Sequence, residues 1–237
     1  MAEKETFNVL ITRPLEEAAP LASALEAKGH RVILNPLLTI EACPLPVCSS
    51  LPKAWILTSK QALDALTQLD PERERPVFTV GDGTAAACQT AGFEAFEGGG
   101  DGARLVEFIM SHNLPGSAPY LHLSGEDIRV DMATRLQSEG IACVRAVVYR
   151  ARPNPVMTPD LKTALTQQTL THAPFYSLRT AQIFISLLKE TPLFTLKEVC
   201  LLALSKAILE ELACFEWRDC QVTRDPFGWL CEEGQKK

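Results

Sequence analysis

NVLITRPLEEAAPLASALEAKGHRVILNPLLTI, starting at Asn8, and PYLHLSGEDIRVDMATRLQSEGIACVRAVVY, starting at Pro119, follow one plan, displaced by roughly 112 residues. Each reads as strand, turn, helix, strand. In the first, Val9-Leu10-Ile11 form the strand, Leu21 and Leu25 mark a helix face, Gly29 closes the helix and Arg31 to Leu34 return as a second strand. Pro20 belongs in the helix's first turn or bends it. In the second, strand Tyr120 to Leu123 ends in Ser124-Gly125-Glu126, and Ile128, Met132 and Leu136, four apart, space a helix that Gly140 closes. A further pair is AWILTSKQALDAL at 54–66 and APFYSLRTAQIFISLL at 173–188, each an apolar strand, a hydroxyl and a helix; a third is PVFTVGDGTAAACQTAGF at 76–93 and VCLLALSKAILEELACF at 199–215. Alternating strands and helices of this length fold as parallel sheets flanked by helices. The expected fold class is therefore α/β, with two similar domains.

Proline-rich stretches separate the repeats: CPLPVCSSLPK at 43–53 and RPNPVMTP at 152–159 read as extended connections. GGGDG at 98–102 is not part of a phosphate loop, since no G-x-x-x-x-G-K-[ST] is present, and it precedes a helix over Ala103–Met110 without a strand leading straight into it. It reads as a flexible connector. No G-x-G-x-x-G follows a strand, so a dinucleotide cofactor has no support.

Composition narrows the partners. With 46% hydrophobic and 22% charged residues over 237 positions, the chain suits a globular protein of one large or two small domains. The net charge of −6 and the absence of a basic run argue against nucleic acid. No window is apolar for long enough to cross a membrane, and MAEKETFNVLITRP is acidic where a signal peptide is basic, so a cytoplasmic location is expected. The eight cysteines include no C-x-x-C and most have apolar neighbours, as buried thiols do; the four histidines have no ligand-like spacing, so no metal is expected.

The turns after the strands carry the chemistry: Thr12-Arg13, Thr58-Ser59-Lys60, Gly81-Asp82-Gly83-Thr84, Ser124-Gly125-Glu126, Ser177-Leu178-Arg179 and Ser205-Lys206. In open parallel sheets ligands collect at the carboxyl ends of strands, where helix N-termini favour anions. Turns of this kind suit a ligand with several carboxylates or phosphates. Singly, Ser59, Thr84 and Ser177 are also what any helix cap would use, and Arg13 and Tyr149 have ordinary roles at a surface or beside a linker. Recurrence at matching positions raises the binding reading, although a duplicated scaffold alone also produces it.

In order, ITRP at 11–14, GHRVILNPLLTI, ILTSKQALDAL, TVGDGTAAACQTAG and LHLSGEDIRVDMATRLQSEGIACVRAVVYR resemble the successive motifs of the uroporphyrinogen-III synthase family. The resemblance covers nearly the whole chain. It implies two α/β domains joined by a pair of extended linkers, the second inserted into the first, so that residues 1–38 pack with 152–237 and residues 41–149 form the other domain, with substrate in the cleft between them. It implies an enzyme, a cyclising hydro-lyase of haem biosynthesis, acting as a monomer without a cofactor on hydroxymethylbilane. Water leaves this linear tetrapyrrole to give an azafulvene, ring D attacks through its substituted carbon, and the spiro intermediate recloses as uroporphyrinogen III. Tyr149 in VVYR matches the tyrosine placed to assist the leaving hydroxyl. Thr84, Ser59 and Ser177 match turn positions expected to bind substrate, Gly125 and Arg13 stand on neighbouring turns as further binding candidates, and Lys60, Ser205 and Lys206 stand on such turns too.

The chain departs from the family in two places. ALSKAIL replaces a segment close to IGPTTA, so Ser205 stands for a glycine and Ile208 for a threonine, with Lys206 as a substitute carboxylate partner. FYSLRTA lacks the usual TSPSA. The alternative is a catalytically inactive binding or regulatory protein of the same ancestry that takes a small polyanion. The intact second-domain motifs and Tyr149 favour the synthase.

Overall fold

The computed structural model describes residues 6–47, 51–128, 130–189 and 194–233; Cys48 lies outside them. Along the chain run β1 (Asn8–Ile11), α1 (Leu15–Ala27), β2 (Arg31–Leu34), β3 (Leu38–Ala42) and β4 (Ala54–Leu57), then a 3-10 turn (Lys60–Ala62) leading into α2 (Leu63–Leu69). β5 (Val77–Thr79), α3 (Asp82–Thr90), β6 (Ala95–Glu97), α4 (Gly102–Ser111), β7 (Tyr120–Gly125), α5 (Met132–Ser138) and β8 (Cys143–Pro153) follow. The remainder is α6 (Pro159–Thr166), β9 (His172–Phe175), α7 (Leu178–Lys189), β10 (Leu196–Ala203), α8 (Lys206–Leu212), β11 (Trp217–Val222) and α9 (Pro226–Glu233).

The chain divides into two compact units, Met1–Thr39 with Arg152–Lys237 so far as these are described, and Ile40–Ala151. The first holds a five-stranded sheet in the order β11-β10-β9-β1-β2, and the second a six-stranded sheet in the order β3-β8-β7-β4-β5-β6. The two orders superpose if β9, β10 and β11 stand for β4, β5 and β6, and β1 and β2 for β7 and β8. Each unit thus joins the first two strands of one sequence repeat to the last three of the other.

Both sheets are buried on two faces, which is why their central strands are apolar runs instead of alternating patterns. In the second unit Ala54 and Ile56 pack with Leu105, Ile109, Met132 and Leu136 on one face. Trp55 and Leu57 pack with Leu66, Cys88 and Leu123 on the other. In the first unit Leu10, Phe175, Phe184 and Leu201 fill one side, and Val9, Ile11, Leu25 and Leu230 fill the other.

Several local expectations change. Pro20 lies inside α1, beyond its first turn. Ile128 is outside α5, because Asp131 accepts a hydrogen bond from Thr134 N–H and starts the helix one turn later. The glycines at 98–100 directly follow strand β6, so the connector is a strand-to-helix turn. It is tied down, with Gly98 N–H donating to Thr79 O (2.9 Å) and Gly100 N–H to Val80 O (2.8 Å). A Cβ on Gly98 would sit 2.5 Å from Leu105 Cδ1 and 3.0 Å from its Cα, so this turn packs against α4 only with glycine there. Of the described cysteines only Cys88, Cys143 and Cys200 are buried, while Cys214 and Cys220 are exposed, so the buried reading holds for a minority.

Candidate functional site

In each sheet the strand order reverses once, between β4 and β7 in the second unit and between β9 and β1 in the first. Such switch points leave a crevice at the carboxyl ends of the strands. In the second unit a cavity of about 540 Å³ occupies this place. Thr58 and Ser59 enter it after β4, Val80 after β5, Gly100, Asp101 and Gly102 after β6, Asp127, Ile128 and Val130 after β7, and Tyr149 from β8.

Tyr149 owes its position to a β-bulge. Ser124 is opposite Val147, but Gly125 is opposite Tyr149, so one extra residue is inserted on β8. The ring then lies against the Gly125 backbone; a Cβ there would be 2.8 Å from Cε2 and Cζ and 3.0 Å from the phenol oxygen. Glu126 N–H donates to Tyr149 O at 2.9 Å, fixing the same register from the main chain.

Below the cavity lies His122, fully buried, with Nε2 3.4 Å from Thr58 Oγ1. Burial, with a smaller contribution from the Arg145 charge, pushes its imidazole down to about 4. His172 in the first unit is likewise pushed down to about 4, by burial and then by Arg218 and His30. Both rings stay neutral when folded, whereas an unfolded histidine protonates near pH 6.5. As pH falls from about 6.5 towards 4 the unfolded chain therefore takes up protons that the fold refuses, and each histidine removes up to about 1.4 kcal/mol of stability per pH unit. Urea midpoints should be lower at about pH 5 than at pH 7, with a shallower slope in His122→Gln; equal midpoints would refute this account.

The residues singled out in the sequence divide into distinct groups. Ser59 and Tyr149 line one cavity, backed by Gly125. Ser59 is partly committed, since its Oγ accepts from Gln61 N–H at 3.3 Å. Lys60 is exposed at the start of the 3-10 turn and does not line the cavity. Thr84 lies in the first turn of α3, half-buried and outside the cavity lining. That helix has Gly81 at its cap, and its first-turn N–H groups are already used: Asp82 Oδ1 accepts from Gly83 N–H at 2.7 Å, and Gly81 O accepts from Thr84 and Ala85 N–H, both at 3.1 Å.

In the first unit Arg13 donates to Glu17 and lies 4.7 Å over the Tyr176 ring, so its charge already has a partner. Ser177 Oγ accepts from Thr180 N–H at 3.1 Å as the cap of α7. Ser205 is exposed at the start of α8 with no side-chain cap bond, and Lys206 faces Glu210 at 3.5 Å. Ile208, where the resemblance led us to look for a threonine, is core: it is buried and packs in the cluster with Leu201 and Phe184. Exposed Leu15, Leu178 and Leu204 stand beside these polar turns, an apolar element that a search for hydroxyls and cations passes over.

Thr58, named in the sequence only as part of its turn, also lines the cavity, and Asp101 and Asp127 in its wall were missed. Asp101 had a visible signal, an acidic residue directly before a helix. It accepts from Ala103 and Arg104 N–H, both at 2.9 Å, and the Arg104 amide first among these influences holds its carboxyl below the usual range. The N-terminus of α4 is therefore closed by its own side chain. Among the described residues no group of three His, Cys, Asp or Glu could hold a metal ion, and no helix is long and apolar enough to cross a membrane.

The sequence matches the family described as uroporphyrinogen-III synthase HemD over residues 19–226. Comparison with curated proteins returns no significant match. Among solved structures, uroporphyrinogen-III synthetase from Helicobacter pylori 26695 is similar at a TM-score of 0.63 and 16% identity, over 97% of this chain and 99% of that one. A mutant uroporphyrinogen III synthase from the extremely thermophilic bacterium Thermus thermophilus gives 0.51 and 15%, over 98% of each chain. At these identities the structural likeness bears on the fold, two mostly parallel sheets flanked by helices.

Proposed function

From the premise that the chain belongs to the uroporphyrinogen-III synthase family, an enzyme family of haem biosynthesis, we propose how this chain's residues carry out the cyclisation. The reaction closes hydroxymethylbilane to uroporphyrinogen III with inversion of ring D and loss of water. The observation that carries the proposal is Tyr149, set against Gly125 in the wall of the second unit's cavity.

Tyr149 donates a hydrogen bond or proton to the departing hydroxyl, and the azafulvene forms as water leaves. No enzyme nucleophile is needed, because the substituted carbon of ring D is the attacking group. What the protein must supply is geometry, since unassisted closure gives the type I isomer. The hydroxyls of Thr58, Ser59 and, in the first turn of α3, Thr84 offer donors for substrate carboxylates in the second unit. Arg13, Ser177, Ser205, Lys206 and, on the other sheet, Lys60 are the remaining candidates for carboxylate contacts. Lys60 and Lys206 are exposed, as a side chain that meets a free anion should be. A cytoplasmic monomer is the form in which we expect this activity, consistent with the net charge of −6.

The test is the isomer ratio formed from fresh hydroxymethylbilane, read by chromatography of the oxidised porphyrins with and without the protein. Type III should dominate with it present; type I alone from folded protein would defeat the reading. Thr84→Ala should raise KM about tenfold at nearly unchanged kcat, the loss of one hydrogen bond to a charged group. Initial rates over a substrate range decide this, and a kcat loss without a KM change would move Thr84 from binding to chemistry.

A further inference from the structure

Arg145 reaches along β8 to the turn that ends β7. Its Nε donates to Ser124 Oγ at 2.9 Å, and its Nη2 donates to Gly125 O and Glu126 O, both at 2.8 Å. Three consecutive residues are thus held by one guanidinium, from a side chain that is itself half-buried. A bulge interrupts the β7–β8 ladder at this point, between Ser124 and Gly125, and a bulge leaves ladder groups locally without their regular partners. The guanidinium supplies partners for two carbonyls there.

We propose that Arg145 is a positioning residue for the cyclisation: it fixes the Ser124–Glu126 turn and, through Gly125, the place of the Tyr149 ring. The proposal rests on the synthase reading given above. The path is short. Arg145 holds the Gly125 and Glu126 carbonyls, the Gly125 backbone abuts the ring, and Glu126 N–H holds the Tyr149 carbonyl. A second effect concerns polarity. Carbonyl oxygens repel carboxylates, and the two at this turn are turned to a cation instead, next to Asp127 and Ile128 where the cavity begins. Lysine could not do the same, because the planar fork holds several acceptors at fixed angles and an ammonium is a point charge.

The chain has three tyrosines, Tyr120, Tyr149 and Tyr176, so fluorotyrosine labelling gives a fluorine spectrum assignable by single Tyr→Phe changes. In Arg145→Ala the Tyr149 signal should shift or broaden while those of Tyr120 and Tyr176 stay. With hydroxymethylbilane, kcat should fall at least about tenfold with a smaller change in KM, and type I should rise. The same substitution made in Tyr149→Phe should cost much less, because both act on one device. An unmoved Tyr149 signal in folded Arg145→Ala, or fully additive kcat losses, would overturn the proposal. If Arg145→Ala does not fold, Arg145→Lys keeps the charge without the fork and reads the same signal. The spectrum needs no turnover, so wild-type protein forming only type I would sink the synthase reading while the fluorine signal still decides Arg145.

Discussion

Tyr149→Phe should fold normally, still favour type III, and form it about a hundredfold more slowly. The ring position is set by the bulge and by the Gly125 backbone, neither of which involves the phenol oxygen as donor. Removing that oxygen therefore leaves the wall of the cavity in place and subtracts only the assistance to the departing hydroxyl. Positioned acids contribute roughly 10²–10⁴ in rate, and the lower end applies to a leaving group that already departs unaided in solution. Rate and isomer ratio must be measured together. A slow enzyme that stays selective separates acid assistance from positioning, whereas loss of selectivity would show that the phenol oxygen holds ring D, and an unchanged rate would remove Tyr149 from the chemistry.

Gly125→Ala should have an effect of the same size by a different route. The new Cβ would stand 2.8 Å from two ring carbons of Tyr149, so one of the two must move. The main chain at Gly125 is held from both sides, by Arg145 on its carbonyl and by the Glu126–Tyr149 hydrogen bond beside it. The ring is the softer partner because it faces an open cavity into which it can rotate. Stability should change little, while a displacement of about 1 Å at a reacting group costs on the order of a hundredfold. Unlike Tyr149→Phe, this variant should also leak type I, since a displaced ring intrudes where the substrate lies. Thermal midpoint, kcat and isomer ratio on one preparation distinguish the cases: a large drop in midpoint with normal turnover of the folded fraction would make Gly125 merely structural.

The strands and their turns were readable because their signals are local. Apolar runs such as Ala54–Leu57 and the hydroxyls after them state their structure within a few residues. Ser59 and Tyr149 could be named for the same reason, each standing at a strand end or within a motif. What could not be read depends on residues far apart in sequence. Arg145 is one of many arginines until β8 lies beside β7 and brings it to Ser124, Gly125 and Glu126. Thr58 looks like a second cap beside Ser59 until His122 is seen beneath it. Ile128 fits the helical spacing with Met132 and Leu136, and only the Asp131 cap removes it from the helix and frees it to line the cavity. The glycines at 98–102 failed as a signal because β6 is three residues long, too short for periodicity to announce it. Ser177 and Arg13 show the opposite case, plausible ligand groups whose polar atoms the fold already uses.

The adjacency of β3 and β8 at the edge of the second sheet bears on the order in which the chain assembles. β1 pairs with β9, so Val9 must find His172 across the whole intervening chain. A search over that length is costly for an unstructured polymer. Residues 40–151, however, form a continuous unit whose entering and leaving strands are neighbours in its own sheet. Once that unit has formed, it acts as a clasp that shortens the loop between Val9 and His172 from about 160 residues to about 50 and removes about 1 kcal/mol of closure entropy from the later step. The discontinuous unit is thus the natural second folder, and a variant that weakens the β3–β8 edge should slow its assembly even though no residue of its own core has changed.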